Sequence, residues 1–229
     1  MGRTGTPRQY GFIPSIGATL RHPGKPIRTS GLTLNPPAAM SNEIQRAPES
    51  VEPWPTLASR PVGDFRIFTL RSDVKVSPRT GRQHDFYVIH SVDWVNVIAL
   101  TPDRQHIVMV EQFRHGSNTI ELEVPGGMMD PHEGDPLGTG IRELREETGY
   151  EGSHWRHLGV MHPCIGYSDE RIEIFLATGL SHEGACHDEG EFLEIFTMSL
   201  ADAEAAVLDG RITDDKTITA LFWAARVLA

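Results

Sequence analysis

The sequence predicts an α+β fold, an α/β/α sandwich in which helices pack on a mixed sheet, preceded by a small antiparallel sheet. Three observations carry this. Alternating or β-branched apolar runs fill much of the chain between residues 65 and 124. A helical stretch over Pro136–Thr148 then interrupts them, and strands and helices alternate from there onward. Sheet, helix, sheet, helix in this order is the pattern of helices laid on a sheet.

Taken in order, Phe65–Leu70 (FRIFTL) alternates and reads as a strand. Val74–Val76 reads as a strand running into the turn Ser77-Pro78-Arg79-Thr80-Gly81. Asp85–Val92 and Val95–Thr101 are β-branched and apolar, with a turn at Pro102-Asp103. Ile107–Phe113 and Thr119–Val124 follow as strands. The period then changes. Asp135 is the expected N-cap of a helix with Pro136 at its first position, and Gly149 is its natural stop. Strands resume over Leu158–His162, Glu173–Ala177 and Phe192–Met198. Leu200–Leu208 is helical and ends at Gly210. The last helix starts near Asp214–Asp215, with Thr213 as its expected cap, and runs to about Leu228.

Residues 1 to about 50 are rich in Pro, Gly, Ser and Thr without sustained periodicity, so a disordered extension is expected. Arg-rich, acid-poor composition also suits a transit peptide. The plainer reading, an upstream extension with Met40 as the working start, is preferred. Residues 51–95 are expected to form the small antiparallel sheet and residues 96–229 the main domain.

The chain has 229 residues, 39% of them apolar, which suits an ordinary soluble core. No window approaches the roughly 18 consecutive apolar residues of a membrane helix. Cys164 and Cys186 make neither a disulfide framework nor a metal-ligand spacing, which fits a reducing, cytoplasmic setting. A net charge of −10 argues against a nucleic-acid partner. The first 40 residues hold five basic residues and no acid, leaving 16 Lys and Arg against 31 Asp and Glu in the remainder. An acidic domain acting on an anionic substrate needs local positive charge, and bound Mg²⁺ would supply it.

The informative stretch is Glu123–Tyr150. Glu143 and Glu147 are four apart and lie on one helix face, and Glu146 adjoins that face. Three carboxylates so placed repel one another unless a cation neutralises them, and their hard oxygens suit Mg²⁺ or Mn²⁺. Alone, the same pattern reads better as a solvated face balanced by Arg142 and Arg145. What precedes the helix changes the weighing. Pro125-Gly126-Gly127 ends a strand and lets backbone come close to a ligand. A loop with Asp130 and Glu133 then leads into the helix.

These residues resemble the signature of the Nudix hydrolases: Gly, five residues, Glu, seven residues, then Arg-Glu-aliphatic-x-Glu-Glu-x-Gly-aliphatic. Gly127 and Glu133 match its front, and Arg142-Glu143-Leu144-Arg145-Glu146-Glu147-Thr148-Gly149 match its back. Eight residues rather than seven separate Glu133 from Arg142, which places the extra residue in the loop Gly134–Gly140, and Tyr150 replaces an aliphatic residue. Beyond the box, the chain is most similar to the ADP-ribose pyrophosphatase branch. Glu111-Gln112-Phe113-Arg114 resembles that branch's Gln-aromatic-Arg segment. Gly166–Arg171 resembles its Ser-x-Glu-Arg segment, and Asp188–Phe192 its acidic loop. Gly210 to Thr217 resembles its last turn and helix. Pro163 resembles its marker proline, about two residues early.

The resemblance implies roles. Glu143, Glu146 and Glu147 would ligate catalytic Mg²⁺, with the Gly126 carbonyl and Glu191 as further ligands. Arg142 would orient a glutamate by a charge-assisted hydrogen bond; otherwise it is a surface ion pair. Glu189 would be the general base; the competing reading of Glu189 and Glu191 is a solvated acidic loop. Arg114, Gln112 and Glu170 would contact substrate, Arg114 because a guanidinium matches phosphate geometry; the alternative for Arg114 is an ion pair with Glu111 or Glu123. Trp54 and Phe86 are either adenine-stacking or core residues. The implied reaction is hydrolysis of ADP-ribose to AMP and ribose 5-phosphate, with GDP-mannose, another nucleoside diphosphate sugar or FAD as runner-up substrates. A homodimer formed through about residues 54–100 is also implied, two-fold pairs being the commonest oligomers. Two other classes compete. A nucleotide sensor would be expected to lack box glutamates, which are all present. A structural Ca²⁺ protein would show the alternating ligands of an EF-hand, which Asp130, Glu133 and Asp135 do not.

Overall fold

Strand structure starts earlier than the alternation suggests. The computed structural model describes residues 51–130, 134–182, 184 and 192–228. Its first three strands, β1 (Thr56–Asp64), β2 (Phe68–Val76) and β3 (Gln83–Ser91), form an antiparallel sheet in that order. β1 has no sequence signal because all but one of its residues are exposed, so burial imposes no period on it. Its Pro61 lies beside a register shift on this edge strand, where a missing N–H is tolerated. The alternating FRIFTL stretch is not a single strand. Arg66 adopts a φ of 70°, and hydrogen bonds between Phe65, Ile67 and Phe68 make a tight turn there. The strand that follows runs unbroken from Phe68 through Val76.

The rest of the fold comprises β4 (Trp94–Ala99), β5 (His106–Arg114), β6 (Thr119–Glu123), β7 (Gly126–Met128), α1 (Pro136–Thr148), β8 (Tyr150–Met161), β9 (Ile172–His182), β10 (Leu193–Ser199), α2 (Leu200–Leu208) and α3 (Asp215–Leu228). The central sheet is β7-β4-β9-β8. It is mixed, because β4 and β9 run parallel while its other pairs are antiparallel. A second antiparallel sheet has the order β10-β5-β6. β4 is buried on both faces, which accounts for its continuous apolar run. Val95, Val97 and Ala99 pack with Leu144 of α1. Ile98 packs on the other side with Ala203 of α2 and Leu221 of α3. The sheet therefore lies between helices.

The expected ends of α1 hold. The Asp135 side chain accepts from the Leu137 N–H, Pro136 opens the helix, and Gly149 closes it at φ 71° with its N–H donating to the Arg145 carbonyl. The cap of α3 is a correction. Thr213 donates its hydroxyl to Glu121 at 2.9 Å, and the Asp214 carboxylate accepts the Thr217 N–H at 2.8 Å. β8 begins at Tyr150 rather than Leu158, its first half being too mixed in exposure to alternate. Among the described residues no helix is long and apolar enough to cross a membrane. Residues 1–50, on which the expected extension falls, lie outside the described residues.

Candidate active site

The strand before Pro125 does end there, and the two glycines open a further short strand. β7 pairs with β4, Gly126 opposite Asn96 and Gly127 opposite Val95, and α1 packs across both strands. At both glycines a side chain has no room, at Gly127 because of α1 and at Gly126 because of β4. A Cβ at Gly127 would stand 2.4 Å from Glu143 Cδ and 2.5 Å from each carboxylate oxygen. A Cβ at Gly126 would stand 2.1 Å from the Val95 carbonyl oxygen. The bare Gly127 lets Glu143 lie against strand backbone, and the bare Gly126 lets β7 draw close to β4. Glu147 is buried and accepts the Gly126 N–H at 2.9 Å.

Arg142 holds the other half of the cluster. Its Nη1 lies 2.8 Å from Glu143 Oε1 and 2.8 Å from Glu146 Oε2, and its Nη2 donates to the Met128 carbonyl at 3.3 Å. One guanidinium thus offsets the repulsion of two carboxylates and ties α1 to β7. Among the described residues no three carboxylate, imidazole or thiol groups already converge as a cation cage. The donors nevertheless fit a hard divalent cation in kind: two carboxylates one helical turn apart, pressed to backbone, with Glu146 beside them. Mg²⁺ commonly takes only one or two carboxylates and keeps several waters. The sequence-predicted residues Glu133, Glu189 and Glu191 lie outside the described residues.

Two clefts flank this cluster. One, of about 660 Å³, is lined by Gly126, Gly127, Arg142, Glu143, Glu146 and Glu147. The other, of about 960 Å³, is lined by Pro163, Glu170, Asp214 and Lys216 among others. Trp94, Gln112 and Arg114 line both. The larger is not the one that holds the carboxylates; the acid cluster, not size, marks the centre of the chemistry.

Arg114 forms a two-pronged pair with Glu123, Nε to Oε1 at 2.6 Å and Nη2 to Oε2 at 2.8 Å. Glu123 is only 2% exposed. Of the ion pairs left open by the sequence, this is the one formed, and Arg114 lines the clefts as well. The hydrogen bond to Glu123 raises the Arg114 pKa and keeps its charge fixed. Burial pushes the Glu170 carboxyl above the ordinary carboxylate range. Trp54 and Phe86 meet edge-on at 5.6 Å, both partly exposed beside the small sheet. Sequence reasoning missed Trp94 and Lys216 as lining residues: an aromatic or a lysine in an amphipathic run carries no positional signal of its own.

The NUDIX domain family model matches residues 62–221. The chain is 33% identical over 168 residues to the methanol dehydrogenase activator of Bacillus methanolicus, covering 72% of this chain and 89% of that protein. It is 34% identical over 166 residues to the ADP-ribose pyrophosphatase of Mycobacterium tuberculosis, covering 71% and 79% respectively. A crystal structure of an ADP compounds hydrolase, 22% identical, superposes with a TM-score of 0.69 over 79% of this chain and 96% of that one. The matched span contains the Gly-Gly strand, the glutamate-bearing helix and both clefts, and the chain belongs to the NUDIX family.

Proposed function

We propose that this protein hydrolyses the pyrophosphate bond of a nucleoside diphosphate linked to a sugar, with ADP-ribose, cleaved to AMP and ribose 5-phosphate, as the leading substrate. The observation that carries the reading is the contact of Glu143 and Glu147 with the Gly126–Gly127 backbone at the edge of a cleft. The cleft volumes fall within the range of about 300–1,000 Å³ typical of small-molecule sites. Relatives named for ADP-ribose cleavage support the substrate class.

Glu143, Glu146 and Glu147, with the Gly126 carbonyl and Glu191, would hold a divalent cation, Mg²⁺ or Mn²⁺. When bound there it would polarise the diphosphate and lower the pKa of the attacking water. The chain's own residues do the positioning. Glu147 is fixed by the Gly126 N–H, and Glu143 is fixed between Arg142 and β7, so neither has to reorganise during reaction. Arg142 orients Glu143 and Glu146 together. Glu189 takes the proton from the water as it adds to phosphorus and the P–O–P bond breaks. Arg114 spends Nε and Nη2 on Glu123; Nη1 takes no part in that pair and is available to a phosphate or ribose oxygen. Gln112 and Glu170 line the space where the two ends of the substrate would extend.

The test is product release from a panel of ADP-ribose, GDP-mannose, UDP-glucose, FAD and NADH with Mg²⁺, beside Glu147→Gln. ADP-ribose leading and the variant inactive supports the reading. Another substrate leading leaves the pyrophosphatase chemistry and removes the substrate. No cleavage at all favours a nucleotide-binding role.

The same reading includes a homodimer. The small sheet and its turns expose the large apolar side chains Leu57, Val62, Phe65, Ile67 and Tyr87, and burial of such side chains against a second copy would support the pairing. Light scattering at micromolar concentration giving only the monomer mass would remove it.

A further inference from the structure

The connection from β8 to β9, residues 162–171, brings Glu170 to the wall of the larger cleft and is fastened to the edge of the small sheet. Ile89 on β3 donates its N–H to the Tyr167 carbonyl at 2.8 Å. The Asp169 N–H donates back to the Ile89 carbonyl at 3.2 Å, and Ile89 bridges Ser168 in parallel fashion. Side chains close the junction. Asp169 accepts from Arg71 Nη1 at 2.9 Å, and His90 Nδ1 lies 3.1 Å from both of its carboxylate oxygens. Arg71 reaches on to the buried Asp73, which accepts from Ser59 Oγ at 2.7 Å. A polar chain therefore runs from β1 through β2 to the loop, where His90 of β3 joins it at Asp169.

Glu170 is also held on its own account. Its N–H donates to Ser168 Oγ at 3.2 Å, and its carbonyl lies 3.1 Å from His162 Nδ1. The next residue, Arg171, donates its N–H to Asp93 Oδ1 at 3.2 Å. Every one of these bonds fixes backbone, while the Glu170 side chain lines the cleft. An exposed loop left to itself moves on a nanosecond to microsecond scale. Here charge-assisted bonds to a second sheet restrain it.

We propose that Asp169 is a positioning residue: through Arg71 and His90 it clasps the β8–β9 connection to the small sheet and so sets where Glu170 stands in the cleft. For its kinetic readout the inference rests on the hydrolase reading; the clasp itself does not. Both charged partners are partly exposed, so the clasp contributes little to global stability and acts on cleft geometry.

The test compares Asp169→Ala, Arg71→Ala, their double variant and Arg71→Lys in the full chain. We expect KM for ADP-ribose to rise about 3- to 10-fold in each alanine variant with kcat within about 2-fold. The double variant is no worse in KM than Asp169→Ala, which already removes both side-chain bonds of the clasp, and Arg71→Lys recovers part of the loss. Hydrogen exchange at the amides of residues 89 and 169 accelerates, while the amides of α1 do not change. Unchanged exchange at those two amides would overturn the clasp. Faster exchange with unchanged KM would overturn its reach into the cleft. A lowered mass by light scattering would assign the effect to assembly and also overturn it. If the wild-type protein does not cleave ADP-ribose, the substrate reading fails by itself. The same four variants compared by calorimetric Kd for ADP-ribose, with the exchange data, then decide the role of Asp169.

Discussion

Gly127→Ala separates the chemistry of the glutamates from the stability of the fold. The added carbon would stand 2.4 Å from Glu143 Cδ, and ordinary contact begins at 3.4 Å, so the carboxyl must retreat by about 1 Å. What it meets is the end of a flexible side chain. The fold can yield there, and we expect a loss below about 1 kcal/mol, or a Tm shift of at most about 4 °C. A catalytic constellation yields less. A displacement of about 1 Å costs on the order of 10²-fold in rate, equivalent to about 2.7 kcal/mol of barrier. Gly126→Ala is the contrasting control. Its Cβ would meet the Val95 carbonyl oxygen at 2.1 Å and Asn96 Cα at 2.9 Å, both backbone atoms of the paired strand. β4 and β7 must then part, at a cost of about 2–3 kcal/mol. The assays are kcat at saturating substrate across a Mg²⁺ titration, and thermal melts of both variants. Gly127→Ala with full kcat and an unchanged melt would refute the requirement that Glu143 lie against β7. Equal destabilisation by the two substitutions would refute the distinction between side-chain and backbone obstacles.

Two further outcomes follow from ion pairs. Arg114→Ala leaves the 2%-exposed Glu123 without its partner; a buried charge so abandoned costs about 3 kcal/mol or more, seen as a Tm drop of about 6–12 °C. Glu123→Gln should cost visibly less, because Arg114 is partly exposed and can hydrate; equal drops would contradict this. Burial pushes the Asp214 carboxyl up, but Lys216 and the Thr217 N–H overcome it and hold the group below its ordinary value. A folded pKa below the unfolded one gives stability that is present above about pH 4 and lost as pH falls through the folded value. Asp214→Asn should therefore lower Tm at neutral pH and flatten the acid limb of the Tm–pH curve; a parallel acid limb would remove Asp214 as its source.

Much of the site was legible because it is local. Helix α1, its cap at Asp135, its stop at Gly149 and the shared face of Glu143 and Glu147 depend on offsets of a few residues, and helical geometry turns such offsets directly into positions. The strands buried on both faces were legible as apolar runs. β1 was not, since exposed residues carry no period. The choice between Glu111 and Glu123 as partner of Arg114 was not either. Alternation places Glu111 and Arg114 on opposite faces of β5, but only the pairing register, with Val110 opposite Glu123, brings Glu123 to the arginine's face.

The amino-acid sequence by itself determined the layered architecture, the glutamate helix and the family. It also supplied two glycines, read as a strand end where backbone can come close to a ligand. The tertiary structure shows what they approach, laying Gly126 against β4 and Gly127 against Glu143 with no room for a Cβ at either. It also joined Asp169 to Arg71 across 98 positions and to His90 across 79. Contacts of that separation are set by how sheets pair and pack, and a pattern with a period of two or 3.6 residues holds no record of them.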